Sequence, residues 1–496
     1  MAERGAEWAG ETGGVTTLGR MQPRRTELRD LFRLAVPVVV VQVGMMAMGV
    51  VDTIMVGHVS PRDLAAVALG NLYFFTISIF GVGVLLALDP LISQAVGAGD
   101  RGGIARGVQR GGLLALALAL LAALFFLPVR PVLVVLRQPD DVVPVAAGYA
   151  IAALPGVLPF YLYIVLRQTL QALGHVAPIV LTVVAANLAN AFFNWILVYG
   201  NLGLPALGAE GAGWASSLSR GLMTAGVLVL AWPALREYVI PFRRDVLSAG
   251  PLVRMVRLGT PIGAQFQLEY GAIALVGVLM GWLGTVAMAS HQVALNLASL
   301  TFMVPLGVAQ ASSVLVGRAV GRGDPEGARR SAGAGLLMGA AFMVSTAVLF
   351  LTAPRLLARA YSGDPLVVGL AALLIPIAGI FQVFDGLQVV ATAVLRGIGD
   401  TRVPMLLHVT GFWLVGVPVS VWVGFGLGVG PVGLWWGLAA GLGAVALLLL
   451  LRVGRIFRGP LRRLAVEDAP AEPRGPRAPR RGRADGEAPA KETVRP

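Results

Sequence analysis

The sequence contains no cysteine. That excludes a disulfide framework, a thiol nucleophile and a cysteine-ligated metal. Charge is scarce too. Asp, Glu, Lys and Arg make up 13% of the residues, against about 25% in a soluble globular protein. Lys491 is the sole lysine, so the formal net charge of +13 is carried by arginine. No GxxxxGK[ST] loop occurs, which excludes ATP hydrolysis through that motif. The four histidines, His58, His175, His291 and His408, stand apart in sequence and form no HExxH pair, so they offer no obvious metal site. Residues 1–30 are polar and of mixed charge, and no signal peptide is expected there.

What is abundant is apolar. Hydrophobic residues make up 56% of the chain, and the mean hydropathy is +0.78. Runs of about 20 apolar residues, the length that crosses a bilayer as a helix, recur throughout. Twelve are expected: 34–56, 66–88, 108–130, 142–164, 176–199, 211–231, 258–281, 291–316, 331–353, 366–392, 404–424 and 431–451. They are too long for barrel strands, and the hydrocarbon interior admits only helices or closed barrels. The expected class is therefore an all-α membrane protein whose main partner is the lipid bilayer.

Arginine placement sets the expected orientation. With the N-terminus inside, the inner loops hold fifteen arginines, among them Arg110, Arg167 and Arg396, and the outer loops hold five. That bias predicts both ends in the cytoplasm. The positive charge is scattered over loops and tails, so no nucleic-acid partner is expected. The tail is rich in Pro, Arg, Ala and Glu, cannot bury much apolar surface and is expected to be disordered.

An internal repeat divides the chain. "RLAVP" (33–37) matches "RLGTP" (257–261), and "GAGDRGGIARG" (97–107) matches "GRGDPEGARRS" (321–331). "LQALG" (170–174) resembles "LRGIG" (395–399). Two six-helix halves of like orientation follow. The expected segments are a cytoplasmic N-terminal stretch 1–30, an N-lobe 31–232, a cytoplasmic connector 233–256, a C-lobe 257–452 and a basic tail 453–496. Fused repeats of this kind occur in secondary transporters, which bind substrate between the halves.

Few acids lie at membrane depth. Asp52 sits in "GVVDTIMVG", Glu269 in "AQFQLEYGA" and Asp385 in "FQVFDGLQVV", and no Arg or Lys is expected beside them. Asp89 lies nearer the inner end of its span. A charged group at the bilayer centre costs about 2.5–3.5 kcal/mol on insertion scales, so function is the default reading. Polar stripes accompany the acids. Gln265 and Glu269 share a helix face, as do Gln382, Asp385 and Gln388, and as do Asn187, Asn190 and Asn194. Such amides also serve as hydrogen-bonding glue between helices, and that is the reading for Gln292 and Gln310. In a weakly solvated cavity a carboxyl group can hold and release a proton. Two acids with amide and carbonyl oxygens can equally coordinate Na+, and the residues alone do not separate these chemistries. Met45, Met46, Met48, Phe74, Phe75, Trp195, Trp282 and Phe302 are candidates to line an apolar cavity, each competing with plain packing. Trp435 and Trp436 resemble interfacial anchors. Pro37, Pro155, Pro159, Pro261, Pro305, Pro376 and Pro418 punctuate the spans and allow kinks.

Four stretches, "VDTIMVGHVSPRDLAAVALGN" (51–71), "FNWILVYGNLGLPALGAEGAGWA" (193–215), "SHQVALNLASLTFMVPLGVAQASSVLVGRAVG" (290–321) and "FDGLQVVATAVLRGIGDTRVP" (384–404), closely resemble the multidrug and toxic compound extrusion (MATE) family, NorM-like branch. The resemblance covers about residues 30–450. It implies twelve helices in two pseudo-symmetric lobes of six around a central cleft, and export of organic, often cationic, drugs in exchange for Na+ or H+, with no other cofactor. It assigns the cation-coupling acids to Glu269, Asp385 and Asp52, with Glu269 and Asp385 as possible Na+ ligands. It places Asn190 and Asn194 in a polar pair of the fifth helix and gives Asp89 a structural role. "FQVFDG" lacks the tyrosine that Na+-coupled relatives can carry beside the acid. A monomer in the bacterial cytoplasmic membrane is expected. A lipid-linked precursor flippase of the same superfamily would favour a strongly basic cavity, whereas acids and amides are expected here. An intramembrane enzyme would show clustered metal ligands or a nucleophile pair, and a channel would show oligomer-forming repeats.

Overall fold

A computed structural model describes residues 21–464. The remainder of the expected N-terminal segment and of the expected tail lies outside the described residues. Twelve long helices follow one another: α1 (Arg25–Gly57), α2 (Pro61–Gly97), α3 (Arg101–Phe126), α4 (Val143–Leu173), α5 (Ala177–Leu197), α6 (Gly208–Leu230), α7 (Ala249–Trp282), α8 (Thr285–Gly321), α9 (Pro325–Thr352), α10 (Pro365–Gly397), α11 (Arg402–Gly426) and α12 (Pro431–Ile456). Eleven are long and apolar enough to cross a membrane alone. The exception is α6, which passes only together with the short helix Trp232–Val239, bent from it by 92°. Its apolar face is interrupted by Ser216, Ser217, Ser219 and Arg220.

The helices outrun the expected spans at the arginine-rich end, because a helix need not stop where the hydrocarbon does. The expected connector 233–256 holds the end of the Trp232–Val239 helix and a short turn, Arg244–Leu247, and α7 already begins at Ala249. The tail does not begin at 453: α12 runs to Ile456. Pro37, Pro261, Pro305 and Pro376 sit inside α1, α7, α8 and α10. Helix α11 departs furthest from ideal geometry, with π-helical turns at Val409–Gly416 and Trp422–Gly426. Such widened turns mark functional sites more often than chance.

Helices α1–α6 form one lobe and α7–α12 the other; two apolar clusters fill the first and one the second, and Leu31, Leu34 and Ala35 near the start of α1 join the cluster of the second lobe. The repeat explains how they meet. Gly99 (φ +68°) and Gly323 (φ +71°) turn the chain left-handed in the two matching loops, a conformation that costs glycine little. Asp100 and Asp324 then accept hydrogen bonds from Gly103 N–H and Gly327 N–H, capping α3 and α9. Across the lobes, Gly97 packs on the carbonyl of Arg318 while Gly321 packs on the carbonyl of Gln94. Both members shift by 224 (321 − 97 and 318 − 94), as a pseudo-two-fold axis requires. The contacts Gly83–Gly263 and Val39–Gly307 are related in the same way.

The Gly97 and Gly321 contacts lie at the arginine-rich end. Gln94 donates to Gly397 O across the lobes (2.9 Å), and Arg318 donates to Ala172 O (2.8 Å) and Gln171 O (3.0 Å). Glu27 pairs with Arg330 (2.7 Å). The segment after α12 adds a strap: Leu464 N–H donates to Gln94 Oε1 (2.8 Å), and Arg463 pairs with Asp100 (2.7 Å). Burial pushes the Asp100 carboxyl up, but the Gly103 N–H, the Arg463 guanidinium and the charge of Arg106 together hold it below the ordinary carboxylate range. The strap is then at full strength at neutral pH and is lost only as pH falls below that range. Reversing one charge (Arg463→Glu) should speed thiol labelling of a Ser93→Cys reporter, a position buried against Gly317 across the lobes. Adding Asp100→Arg should slow it again. Equal labelling rates in all three proteins would remove the strap from the closure.

Candidate cation and substrate site

In the C-lobe, Glu269 and Gln265 stand one turn apart on α7, and Asp385 and Gln388 one turn apart on α10. The Gln388 amide joins the two acids. Its Nε2 donates to Asp385 Oδ1 at 3.0 Å and, more weakly, to Glu269 Oε1 at 3.4 Å. Neither acid makes an ion pair among the described residues. A fifth residue, His408, closes the cluster from α11, where the first π turn begins. Its Nε2 lies 2.8 Å from Gln388 Oε1 and 3.2 Å from Gln265 Nε2. Sequence spacing did not find His408, because its partners lie on two other helices.

The donors and acceptors constrain the chemistry. His408 Nδ1 lies 2.8 Å from the carbonyl of Pro404. A carbonyl only accepts, so Nδ1 carries a proton. If His408 is neutral, Nε2 must accept, which suits Gln265 but not the oxygen of Gln388. The Gln388 amide then turns round, presents its oxygen to the acids, and needs one of them protonated. If His408 is charged, the Gln388 amide keeps its NH2 towards two carboxylates, and it is the Gln265 amide that turns its oxygen towards Nε2. One amide orientation thus matches a protonated acid pair, and the other matches an ionised pair beside an imidazolium.

In the N-lobe, Asp52 is buried on α1. Asn190 and Asn194 on α5 donate to its Oδ1 (3.0 and 2.7 Å), and Ser216 on α6 donates to its Oδ2 (2.5 Å). Asn187 is not part of this group. It donates to the carbonyl of Gly44 on α1 (2.9 Å), which is interhelical glue, and to that of Val183 one turn back on its own helix (2.8 Å). Gln382 likewise turns away from Asp385 to Ala298 O (2.9 Å) and Thr301 on α8.

Two adjoining cavities open between the lobes, of about 380 and 540 Å³. The first is lined by Gln265, Glu269 and Gln388, the second by Asp52 and Ser216. They share Gln42, Met45, Phe75, Phe160, Tyr270 and Leu306. Of the expected apolar lining, Met45, Met46, Met48, Phe74, Phe75 and Phe302 take part. Trp195 and Trp282 instead face outward from the lobes. Trp435 is no interfacial anchor: it is buried against His291 and Phe381, with ring centroids 5.6 and 5.9 Å away.

Arginine enters where none was expected. Arg220 on α6 lines the second cavity, within electrostatic reach of Asp52. Arg167 and Arg396, expected in inner loops, lie buried inside α4 and α10 and line the first cavity. Asp89 does not reach the interface. It is buried and pairs with Arg396 across the lobes at 3.3 Å, while Arg167 donates to Gln42 Oε1 (2.9 Å).

A helical membrane protein of two symmetric lobes, with unpaired acids facing an interlobe cavity, belongs to the class in which substrate binds between moving halves. The family model described as MatE matches residues 37–196 and 261–422. The chain is 38% identical over 415 residues to a probable multidrug resistance protein NorM of Mesorhizobium japonicum, covering 82% of this chain and 88% of that one. It is 36% identical to the multidrug resistance protein PmpM of Pseudomonas aeruginosa, covering 90% and 96%. The eukaryotic MATE transporter AtDTX14 shares the fold, with a TM-score of 0.79, 21% identity and coverage of 87% and 98%. An outward-facing multidrug resistance MATE transporter does so with a TM-score of 0.78, 18% identity and coverage of 90% and 98%. The chain belongs to the MatE family. The two matched blocks begin 224 residues apart (261 − 37), the interval of the internal repeat.

Proposed function

We propose that this chain is a secondary active efflux antiporter of the bacterial cytoplasmic membrane. It exports organic, often cationic, drugs in exchange for H+ or Na+ and works as a monomer with both termini in the cytoplasm. The observation that carries this is the pair Glu269 and Asp385, bridged by one amide and without a basic partner, with Glu269 and the bridging Gln388 on the wall of an interlobe cavity. The names of the bacterial relatives agree with drug export. Binding of the driving cation to these acids changes the relative stability of the two lobe arrangements, and only such a differential can move the equilibrium. Asp52 with Asn190 and Asn194 forms the N-lobe polar site. The arginine-rich end, on the orientation rule, faces the cytoplasm, so the structure is closed on that side.

The purified protein in liposomes tests this. An imposed pH or Na+ gradient should drive accumulation of ethidium against its concentration, and the gradient that works names the coupling ion. Ethidium movement indifferent to both gradients would sink the antiport reading. The flippase alternative gains three arginines in the cavity walls. Two of them are already occupied by Asp89 and Gln42, so no open basic patch is formed.

A further inference from the structure

The third arginine is placed differently. The Arg220 guanidinium lies over aromatic rings, its central carbon 3.9 Å from the Phe74 centroid and 5.6 Å from that of Phe160. Its Nη1 is buried with no hydrogen-bond partner. Asp52 is near enough to offset the charge, but its oxygens already accept from Asn190, Asn194 and Ser216. A guanidinium held over a ring can still donate from its N–H groups, and that planar fork matches a carboxylate in two-point geometry. Most of the wall around it is apolar, with Met45, Met46, Met48, Phe75 and Met303, and the polar part of the wall includes Asp52 and Ser216. On the far side the adjoining cavity presents Glu269. Positive charge at one end, an acid that carries negative charge when ionised at the other and an apolar slot between them fit a flat amphiphile bearing both charges.

We propose that Arg220 is a substrate-specificity residue that binds the carboxylate of zwitterionic aromatic compounds, whose cationic end points towards Glu269. This rests on the efflux reading and narrows its substrate class. Nothing else in the cavity offers an anion a charged two-point contact, since Arg396 is held by Asp89 and Arg167 by Gln42. A half-buried guanidinium that makes no ion pair with Asp52 also gives a reason why this position departs from the apolar pattern of a membrane helix.

The test uses a matched dye pair, a rhodamine with a free benzoic acid and its methyl ester, which share size and aromatic body. Uptake into liposomes carrying the wild type, Arg220→Gln or Arg220→Lys is measured under the productive gradient. Dye binding to detergent-purified, monodisperse protein is followed by fluorescence anisotropy. The acid-to-ester ratio should fall at least about tenfold in Arg220→Gln, as expected for losing a charge-assisted hydrogen-bonded pair. It should fall less in Arg220→Lys, which keeps the charge but not the fork. An unchanged ratio, whether both dyes are lost together or neither is, would overturn the assignment and leave Arg220 a structural residue. Wild-type transport of the ester but not the acid would overturn it too. Transport of neither dye under any gradient would instead count against the efflux reading itself.

Discussion

Glu269→Gln should reduce gradient-driven drug export by about 5- to 150-fold, the range of ordinary site-to-site coupling energies, while leaving drug binding far less affected. Glutamine has the shape of the protonated acid but cannot cycle between charge states. It is therefore frozen in one of the two patterns that Gln388 can adopt. The cation would then bind both lobe arrangements alike, and a ligand without differential affinity moves no equilibrium. Asp385→Asn should act in the same direction, because Gln388 Nε2 touches both acids. The double variant should be little worse than either single one, since a broken unit cannot be broken twice. His408→Phe keeps the ring and removes the nitrogens. It should weaken coupling less than loss of either acid, because it frees the Gln388 amide without removing a cation site. Efflux of ethidium from a host lacking other pumps, beside binding measured on purified protein, checks the series. Full efflux by Glu269→Gln would strip the residue of its role.

Much of this site was legible in the sequence, and the reason is depth. A carboxyl group in the middle of a twenty-residue apolar run announces itself, and helical spacing puts Gln265 with Glu269 and Gln388 with Asp385. What spacing along one helix cannot say is which way that face turns among its neighbours. Asn187 and Asn190 belong to one stripe, yet the first bonds the backbone of α1 and the second bonds Asp52. Gln382 and Gln388 flank Asp385, yet only Gln388 reaches it. His408 looked solitary because its partners sit on α7 and α10. Arg167 and Arg396 were passed over for a related reason, whereas Arg220 stood in the middle of the expected span 211–231. Arginine in a membrane protein is read first as a topology marker, and near a helix end its long stem can serve either purpose. The fold was plainer, because the apolar runs give the count of helices and the repeat at an interval of 224 gives the axis relating the lobes.

Asp89→Asn should destabilise the protein by about 3–5 kcal/mol, the usual consequence of stripping one partner from a buried ion pair. The pair joins α2 of one lobe to α10 of the other, and both side chains are buried. Removing the carboxylate leaves the Arg396 guanidinium desolvated next to Arg167, another cation. Relief comes by parting the lobes at the arginine-rich end, so that water reaches Arg396. The variant should therefore melt lower in detergent and also spend more time open at that end. The chain has no cysteine of its own, so a single Ser93→Cys reporter reads that opening without background labelling. Thiol modification should accelerate in Asp89→Asn. The double variant Asp89→Asn with Arg396→Gln, neutral on both sides, should recover much of the stability and slow the labelling. A merely structural pair would lower the melting temperature without changing reporter access below the transition. A gate pair must change both, since the same 3.3 Å contact that holds the lobes together has to break each time they exchange faces.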